Sequence, residues 1–103
     1  MLKVVKSNEF VEEVKDGIVV IDFFADWCGP CKMLGPVVEE LSDEMSGEAK
    51  FIKVNVDESP DLASQYGIVN IPALVIMKNG EKMNTMVGFS PKENIRQEVE
   101  KYK

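Results

Sequence analysis

The fold of this chain is decided by residues 18–32, which read IVVIDFFADWCGPCK. Residues 18–25 are apolar at odd and even positions alike, except for Asp22. Because odd and even positions face opposite sides of a strand, this pattern predicts a strand buried on both faces. A helix is predicted to follow from about Pro30 to Met45, where apolar residues recur at helical spacing. Sites in α/β proteins form where a strand ends and the next helix begins, so the loop between them is where chemistry is expected.

The remaining sequence alternates between the periods of strands and helices. We predict strands at residues 2–5, 51–56, 73–77 and 83–89, and further helices beginning near Ser7, Pro60 and Pro91. The last two strands flank Asn79-Gly80, which is typical of a tight hairpin turn. The order β-α-β-α-β-α-β-β-α predicts one α/β domain over residues 1–103, a mixed five-stranded sheet flanked by four helices. Strands joined by helices are expected to run parallel, and the last two antiparallel.

Length, charge and residue usage exclude several kinds of function. The chain has 103 residues, with 12 basic and 18 acidic side chains, no histidine and two cysteines. Without histidine, neither a Ser-His-Asp triad nor a histidine metal site can form within the chain. Two cysteines are also too few for a four-thiolate metal cage. The net charge of −6 disfavours nucleic acid as a partner, so none is expected.

The sequence also indicates a location. No stretch is long and apolar enough to span a membrane, and residues 1–10 do not resemble a secretory signal. We therefore expect a cytoplasmic protein with no membrane partner. In that reducing compartment, two nearby cysteines are more often catalytic or metal-binding than a structural bridge.

Cys28 and Cys31 lie three positions apart at the predicted start of a helix. The free N–H groups and partial positive charge of a helix N-terminus favour a thiolate, so Cys28 is the expected nucleophile toward a substrate disulfide. Cys31, expected to be the less exposed of the two, would resolve the mixed disulfide by attacking Cys28. Gly29 would let a substrate backbone come close, and Pro30 would restrict the loop between the sulfurs.

Two other interpretations of the cysteine pair remain open at this point. A structural disulfide would close a very short loop and contribute little stability. A metal site would need two chains, each lending its two cysteines. Redox exchange is favoured over both, with a Cys28–Cys31 disulfide as the redox-active group and no bound cofactor or metal.

The sequence Trp27-Cys28-Gly29-Pro30-Cys31-Lys32 resembles the active-site signature of the thioredoxin family. The similarity covers essentially the whole chain in order and spacing. It includes residues 20–23, 53–57, 66–68, 71–72, 78–80 and 87–88. The resemblance implies a thioredoxin fold and a thiol-disulfide oxidoreductase that reduces disulfides in protein substrates. It further implies a monomeric electron carrier, recharged by a thioredoxin reductase that is linked to NADPH or to ferredoxin.

The resemblance also assigns roles to residues outside the cysteine pair. Asp22 is a carboxylate among apolar neighbours, where burial raises its pKa, and it matches the aspartate that accepts the proton of the second cysteine. Lys53 has the pattern of a solvated lysine, and the resemblance makes it the charged partner that modulates Asp22. An exposed position for Asp22 is disfavoured because its same-face neighbours, Val20 and Phe24, are apolar.

The implied substrate-binding residues are Trp27, Ile71, Pro72 and Gly88. Pro72 matches a proline that is cis and faces the cysteines, although sequence alone favours a trans bond. The backbone of Ile71 would then be available to pair with an extended substrate chain.

Five residues depart from the usual family pattern, and we expect them to lie on the docking rim and to affect partner choice. They are Phe24 in place of tryptophan, Val69 and Asn70 in place of a basic residue and glycine, Ala73 in place of threonine, and an unusually large Phe89. The same dithiol could instead work as an oxidant or isomerase. Two further competing functions are a non-catalytic assembly subunit, which would not need the dithiol, and a dimeric metal-binding protein.

Overall fold

The computed structural model describes residues 2–103, and Met1, the first residue of the predicted domain, lies outside them. The described residues form four helices and four strands. In chain order these are α1 (Ser7–Val14), β1 (Ile18–Phe24), α2 (Gly29–Glu44), β2 (Lys50–Asn55), α3 (Pro60–Gln65), β3 (Ala73–Lys78), β4 (Glu81–Val87) and α4 (Lys92–Glu100). Each of these elements lies close to its predicted place.

The sheet is mixed, as predicted, and has the strand order β2-β1-β3-β4. β1 runs parallel to β2 and antiparallel to β3, and β3 and β4 form an antiparallel hairpin. Six of the seven residues of β1 are buried. A continuous apolar run suits this inner position, because the strand has a neighbour on each edge and helices on each face.

The prediction of five strands is wrong, because the sheet of the described residues has four. Residues 2–5 make a single parallel bridge, between Val4 and Lys53. Before this bridge, the backbone N–H of Leu2 donates to the side chain of Glu39 at 3.0 Å instead of extending the ladder. After it, the chain turns into α1 almost at once. Too few residues lie between these two ends to form a strand.

The predicted parallel direction is confirmed for β1 and β2 but wrong for β3, which runs antiparallel to β1. β2 ends at Asn55 beside Phe24, and β3 begins at Ala73 beside Phe23, so both meet the same end of β1. Between them α3 has six residues and is about 9 Å long, against roughly 20 Å for a strand of that length. Such a short helix cannot carry the chain back along the sheet, so β3 returns in the opposite direction.

Helices cover both faces of the sheet, as predicted. One core lies between the sheet and the pair α1 and α3, and it includes Phe10, Val14, Val19, Ile21, Leu62 and Val75. The other lies between the sheet and the pair α2 and α4, and it includes Val20, Leu34, Leu41, Leu74, Ile76 and Ile95. Within residues 2–103 no helix is long and apolar enough to cross a membrane.

The turn between β3 and β4 is the predicted Asn79-Gly80 hairpin. Both residues have positive φ, 50° at Asn79 and 83° at Gly80, as a two-residue turn of type I′ requires. Asn79 also exchanges hydrogen bonds with Gly17: its N–H donates to the Gly17 carbonyl at 2.9 Å, and its Oδ1 accepts from the Gly17 N–H at 2.8 Å. The turn therefore anchors the start of β1.

We predict that two valines of α1 differ in their contribution to stability. Val14 is 4% exposed and Val11 is 78% exposed. Val14→Ala should lower the free energy of unfolding by about 2 kcal/mol, because it removes two buried methyl groups. Val11→Ala, the matched control, should change it by less than about 0.5 kcal/mol. Urea unfolding followed by circular dichroism measures both, and equal losses would contradict this packing of α1.

Candidate functional site

The cysteine pair lies where the sequence predicts, between the end of β1 and the first turn of α2. Cys28 is the N-cap residue of α2 and Cys31 lies in its first turn. Their sulfurs are joined in a disulfide, with the two Cα atoms 5.2 Å apart. The Sγ of Cys28 accepts a hydrogen bond from the backbone N–H of Cys31 at 3.2 Å. In the reduced protein, the same N–H and the helix N-terminus favour a thiolate at Cys28.

Both cysteines are buried in the disulfide form, 4% exposed at Cys28 and 5% at Cys31. The expectation that Cys31 is the less exposed of the two is therefore wrong for this state. The reason is packing, because one apolar cluster encloses both sulfurs. Its other members are Phe24, Ala25, Val56 and Ile71.

Gly29 and Pro30, the two residues between the cysteines, open α2. Both are exposed, and a Cβ placed on Gly29 would meet no other atom of the described residues within 4 Å. The surface at Gly29 is therefore open, as the approach of a substrate backbone requires. Pro30 lies in the first turn, where its missing N–H costs no helical hydrogen bond.

Asp22 lies in the middle of β1 and is 1% exposed. It has the same parity as Val20, so it lies on the sheet face covered by α2 and α4. Neither of its carboxylate oxygens has a hydrogen-bond partner among the described residues. Burial raises the pKa of Asp22 to about 6, and the positive charge of Lys53 opposes part of that rise. Such a carboxyl group changes its charge close to neutral pH, as a proton acceptor must.

Lys53 is the residue opposite Asp22 in the β1–β2 ladder. Its Nζ lies over the ring of Phe24, 4.2 Å from the centroid, in a cation–π contact. The structure thus brings Lys53 beside Asp22, as the resemblance implies, but its ammonium contacts an aromatic ring.

A cavity of about 460 Å³ lies between the N-terminal segment, the start of α2 and the end of β1. Cys31 and Lys53 both line it. The second cysteine and the lysine beside Asp22 therefore share one cavity. Within residues 2–103, no group of three or more acidic, cysteine or histidine side chains could hold a metal ion.

The peptide bond between Ile71 and Pro72 is cis, as the resemblance implies. Ile71 packs against the cysteine pair. The N–H of Gly88 donates to the carbonyl of Pro72 at 2.8 Å, which ties the loop before β3 to the end of β4. No backbone hydrogen bond joins Ile71 to another residue in the described part of the chain. Its N–H and C=O therefore have no backbone partner within the described residues, as pairing with an extended partner chain requires.

Trp27 is 70% exposed, and its Nε1 donates to Oδ2 of Asp57 at 2.9 Å. Asp57 lies in the matched stretch 53–57, but nothing in the sequence assigns it a role in the site. Its position is a signal that could have found it, because it follows β2, and the parallel strands β1 and β2 end at the same edge of the sheet. The hydrogen bond orients the exposed indole beside Cys28.

The five departures from the family pattern do not all lie on the surface. Val69 and Phe89 are exposed apolar residues, 87% and 45% exposed, and Asn70 is exposed as well. Ala73 is fully buried in β3, and Phe24 is half-buried under Lys53. The expectation of a position on the docking rim is therefore wrong for Ala73, and Phe24 lines the cavity instead.

The chain is similar to one family of proteins over almost its whole length. The family model described as Thioredoxin matches residues 1–101. The thioredoxin of Bacillus subtilis strain 168 is 45% identical over 103 residues, which cover 98% of this chain and 99% of that relative. A thioredoxin of Staphylococcus saprophyticus is 43% identical over 102 residues, with 99% and 97% covered. A thioredoxin of Staphylococcus aureus is 42% identical over 98 residues, with 95% and 94% covered.

We predict that Asp22 lowers the stability of the protein as pH rises. Its pKa is about 6 in the folded chain against the ordinary 3.8, so between these values the folded chain binds more protons than the unfolded chain. The free energy of unfolding therefore falls as pH rises through this range and levels off above it. Asp22→Asn removes this loss, and the variant should be more stable than the wild type by about 3 kcal/mol at pH 8 and by less than about 1 kcal/mol at pH 4.

Urea unfolding of both proteins at the two pH values measures this difference. Asp16→Asn, which changes an exposed aspartate, is the control and should show no such gain. A gain from Asp22→Asn that is the same at pH 4 and pH 8 would contradict the account of Asp22.

Proposed function

The chain belongs to the thioredoxin family and is a thiol-disulfide oxidoreductase, and we propose specific roles for its residues in the reduction of protein disulfides. Cys28 is the nucleophile, Cys31 the resolving thiol and Asp22 the proton acceptor. The observation that carries this assignment is the Cys28–Cys31 disulfide at the N-terminus of α2, beside a strand that holds a buried carboxylate.

In the first step, the reduced protein attacks a substrate disulfide. The Cys28 thiolate forms a bond with one substrate sulfur, the substrate's own sulfur–sulfur bond breaks, and its second sulfur leaves as a thiolate that takes a proton from solvent. The N–H of Cys31, 3.2 Å from the Cys28 sulfur, supports negative charge there. Because the chain has no histidine, the helix N-terminus replaces an imidazole base in activating the thiol.

In the second step, Cys31 resolves the mixed disulfide. Its thiol gives a proton to the Asp22 carboxylate through water, and the thiolate attacks the Cys28 sulfur. The mixed disulfide breaks, the reduced substrate leaves, and two electrons have passed to it. The pKa of Asp22, about 6, supports this role because the group is ionised at neutral pH yet basic enough to take a proton. Lys53 modulates that basicity through its charge.

The substrate would bind as an extended segment beside the cysteine pair. The open backbone of Ile71, held next to the cis Pro72, is suited to hydrogen bonds with such a segment. Gly88 holds the Pro72 carbonyl in place, and the exposed Trp27 offers an aromatic surface for apolar side chains. Gly29 and Pro30 shape the redox loop between the sulfurs.

The family implies exchange with disulfide substrates and with a thioredoxin reductase. We propose that the reductase draws on NADPH or ferredoxin and that the chain works as a monomer in the cytoplasm. Reduction of the oxidised chain by an NADPH-linked and a ferredoxin-linked reductase, compared side by side, tests the source of electrons. Light scattering in solution tests the monomeric state.

We predict that Cys31→Ser arrests the reaction at the mixed disulfide. Without the resolving thiol, a substrate stays joined to Cys28, so the reduced variant should form a stable one-to-one adduct with a disulfide-containing protein such as insulin. Dithiothreitol should release it, and mass spectrometry should place the new disulfide on Cys28. Cys28→Ser is the matched control and should form no lasting adduct. An adduct with Cys28→Ser alone would reverse the two roles.

We also predict that Asp22→Asn slows the second step and spares the first. Resolution of a preformed mixed disulfide should slow by about a hundredfold at pH 7, the lower end of the usual contribution of a general base. In the wild type, the rate should rise with pH through about 6, because Asp22 accepts a proton only when it is ionised. The variant should lack this rise, which rapid-quench measurements between pH 5 and 8 would reveal.

Asp26→Asn is the control for this experiment, because Asp26 is an exposed carboxylate at the wall of the same cavity. It should resolve the mixed disulfide at the wild-type rate. Slow resolution in Asp26→Asn together with normal resolution in Asp22→Asn would assign the proton acceptor to Asp26.

A further inference from the structure

The side chain of Lys53 lies near both Asp22 and Phe24 of β1, and its ammonium contacts the ring of Phe24. Its partner in the ladder is Asp22, yet its Nζ lies 4.2 Å from the centre of the Phe24 ring. Both oxygens of Asp22 lack a hydrogen-bond partner within residues 2–103, although the residue is 1% exposed. A buried carboxylate next to an ammonium usually pairs with it, so the contact with the ring requires a cause.

The geometry of the strand supplies that cause. Asp22 and Phe24 alternate on the same face of β1, so the side chain of Lys53 can lean toward either. The Phe24 ring is half-buried and lines the same cavity as Lys53. Over the ring, the ammonium gains the attraction of the aromatic face and keeps its contact with the cavity. Pairing with Asp22 would remove it from water.

We propose that Phe24 is a positioning residue for the second step, because its ring holds the Lys53 ammonium away from the Asp22 carboxylate. Asp22 is thereby left able to take the proton of Cys31. This inference rests on the proposed role of Asp22 as proton acceptor. A carboxylate paired with an ammonium is a weaker base, so loss of the ring should make Asp22 a poorer acceptor.

Lys53 is the charged group that affects the pKa of Asp22. Burial raises that pKa, and the positive charge of Lys53 lowers it. From β3, the residue opposite Asp22 is the apolar Leu74. The remaining titratable or charged groups at the cavity come from α2 and the loop before it. They are Asp26, Cys31, Lys32 and Glu39.

The test is a carboxyl ¹³C NMR titration of Asp22 in the full oxidised chain. Phe24→Leu removes the ring and keeps an apolar side chain, so Lys53 should move to Asp22 and the titration midpoint should fall by about one pH unit. Phe24→Tyr and Phe24→Trp keep a ring and should leave the midpoint near its wild-type value. Amide spectra verify the fold of each variant, and Phe24→Met replaces Phe24→Leu if that variant does not fold.

Lys53→Gln provides a background that distinguishes two effects of Phe24→Leu on Asp22: a moved Lys53 ammonium and altered packing around the carboxyl group. In that background no ammonium is present, so Phe24→Leu should leave the midpoint of Asp22 almost unchanged. If Phe24→Leu moves the midpoint equally with and without Lys53, or does not move it at all, the inference is overturned. An unmoved midpoint would also result if Lys53 paired with Glu39 or Asp26 instead, and it would count equally against the inference.

A kinetic measurement distinguishes this inference from the proposed function. In Phe24→Leu, resolution of the mixed disulfide should reach half of its plateau at a lower pH, and the plateau should be about threefold lower because the base is weaker. If Asp22→Asn resolves at the wild-type rate while the Phe24→Leu midpoint falls as expected, Asp22 is not the acceptor but the positioning of Lys53 stands. If Asp22 is required and the midpoint does not move, the positioning role is overturned and the proposed function survives.

Discussion

β1 has helices on both faces and a strand on each edge, and the site depends on this burial. A carboxyl group in such a strand is removed from water, so the pKa of Asp22 rises to about 6 without a hydrogen-bond partner in the described part of the chain. The same strand leads directly to Cys28, the N-cap of α2. One buried strand therefore supplies a tuned carboxyl group and fixes the helix terminus that carries the cysteines.

Because the chain has no histidine, the proposed mechanism uses the N-terminus of α2 and the carboxylate of Asp22. Activation of Cys28 falls to the helix N-terminus, where the N–H of Cys31 donates to its sulfur. In the proposed mechanism, the proton of Cys31 passes to Asp22, whose pKa is shifted by burial and by the charge of Lys53. Lys53 lies opposite Asp22 in the β1–β2 ladder, and its ammonium contacts the Phe24 ring. In the proposed mechanism, Phe24 affects the proton transfer through the position of the Lys53 ammonium.

The surface around the disulfide is built from three separate loops. The first carries Trp27, which Asp57 orients through a hydrogen bond. The second contains the cis Pro72, and the third begins at Gly88, whose N–H donates to the Pro72 carbonyl. Because a hydrogen bond ties the second and third loops together, the backbone of Ile71 is held beside the cysteine pair. Val69 and Phe89, two of the departures from the family pattern, are exposed apolar residues.

Periodicity and short motifs were enough to predict the buried strand from Ile18, the helix after Cys28, the hairpin at Asn79 and the dithiol chemistry, since each depends on residues close together in the chain. The roles of Asp22 and of the cis Pro72 needed the family resemblance as well. The tertiary structure alone decided the direction of β3, the reduction of residues 2–5 to one bridge, the bond between Trp27 and Asp57, and the placement of Lys53 on the Phe24 ring. These features join residues distant in the chain. The direction of β3 depends on the length that the short helix α3 spans, and the contact of Lys53 depends on whether its flexible side chain meets Asp22 or Phe24. Local sequence encodes neither.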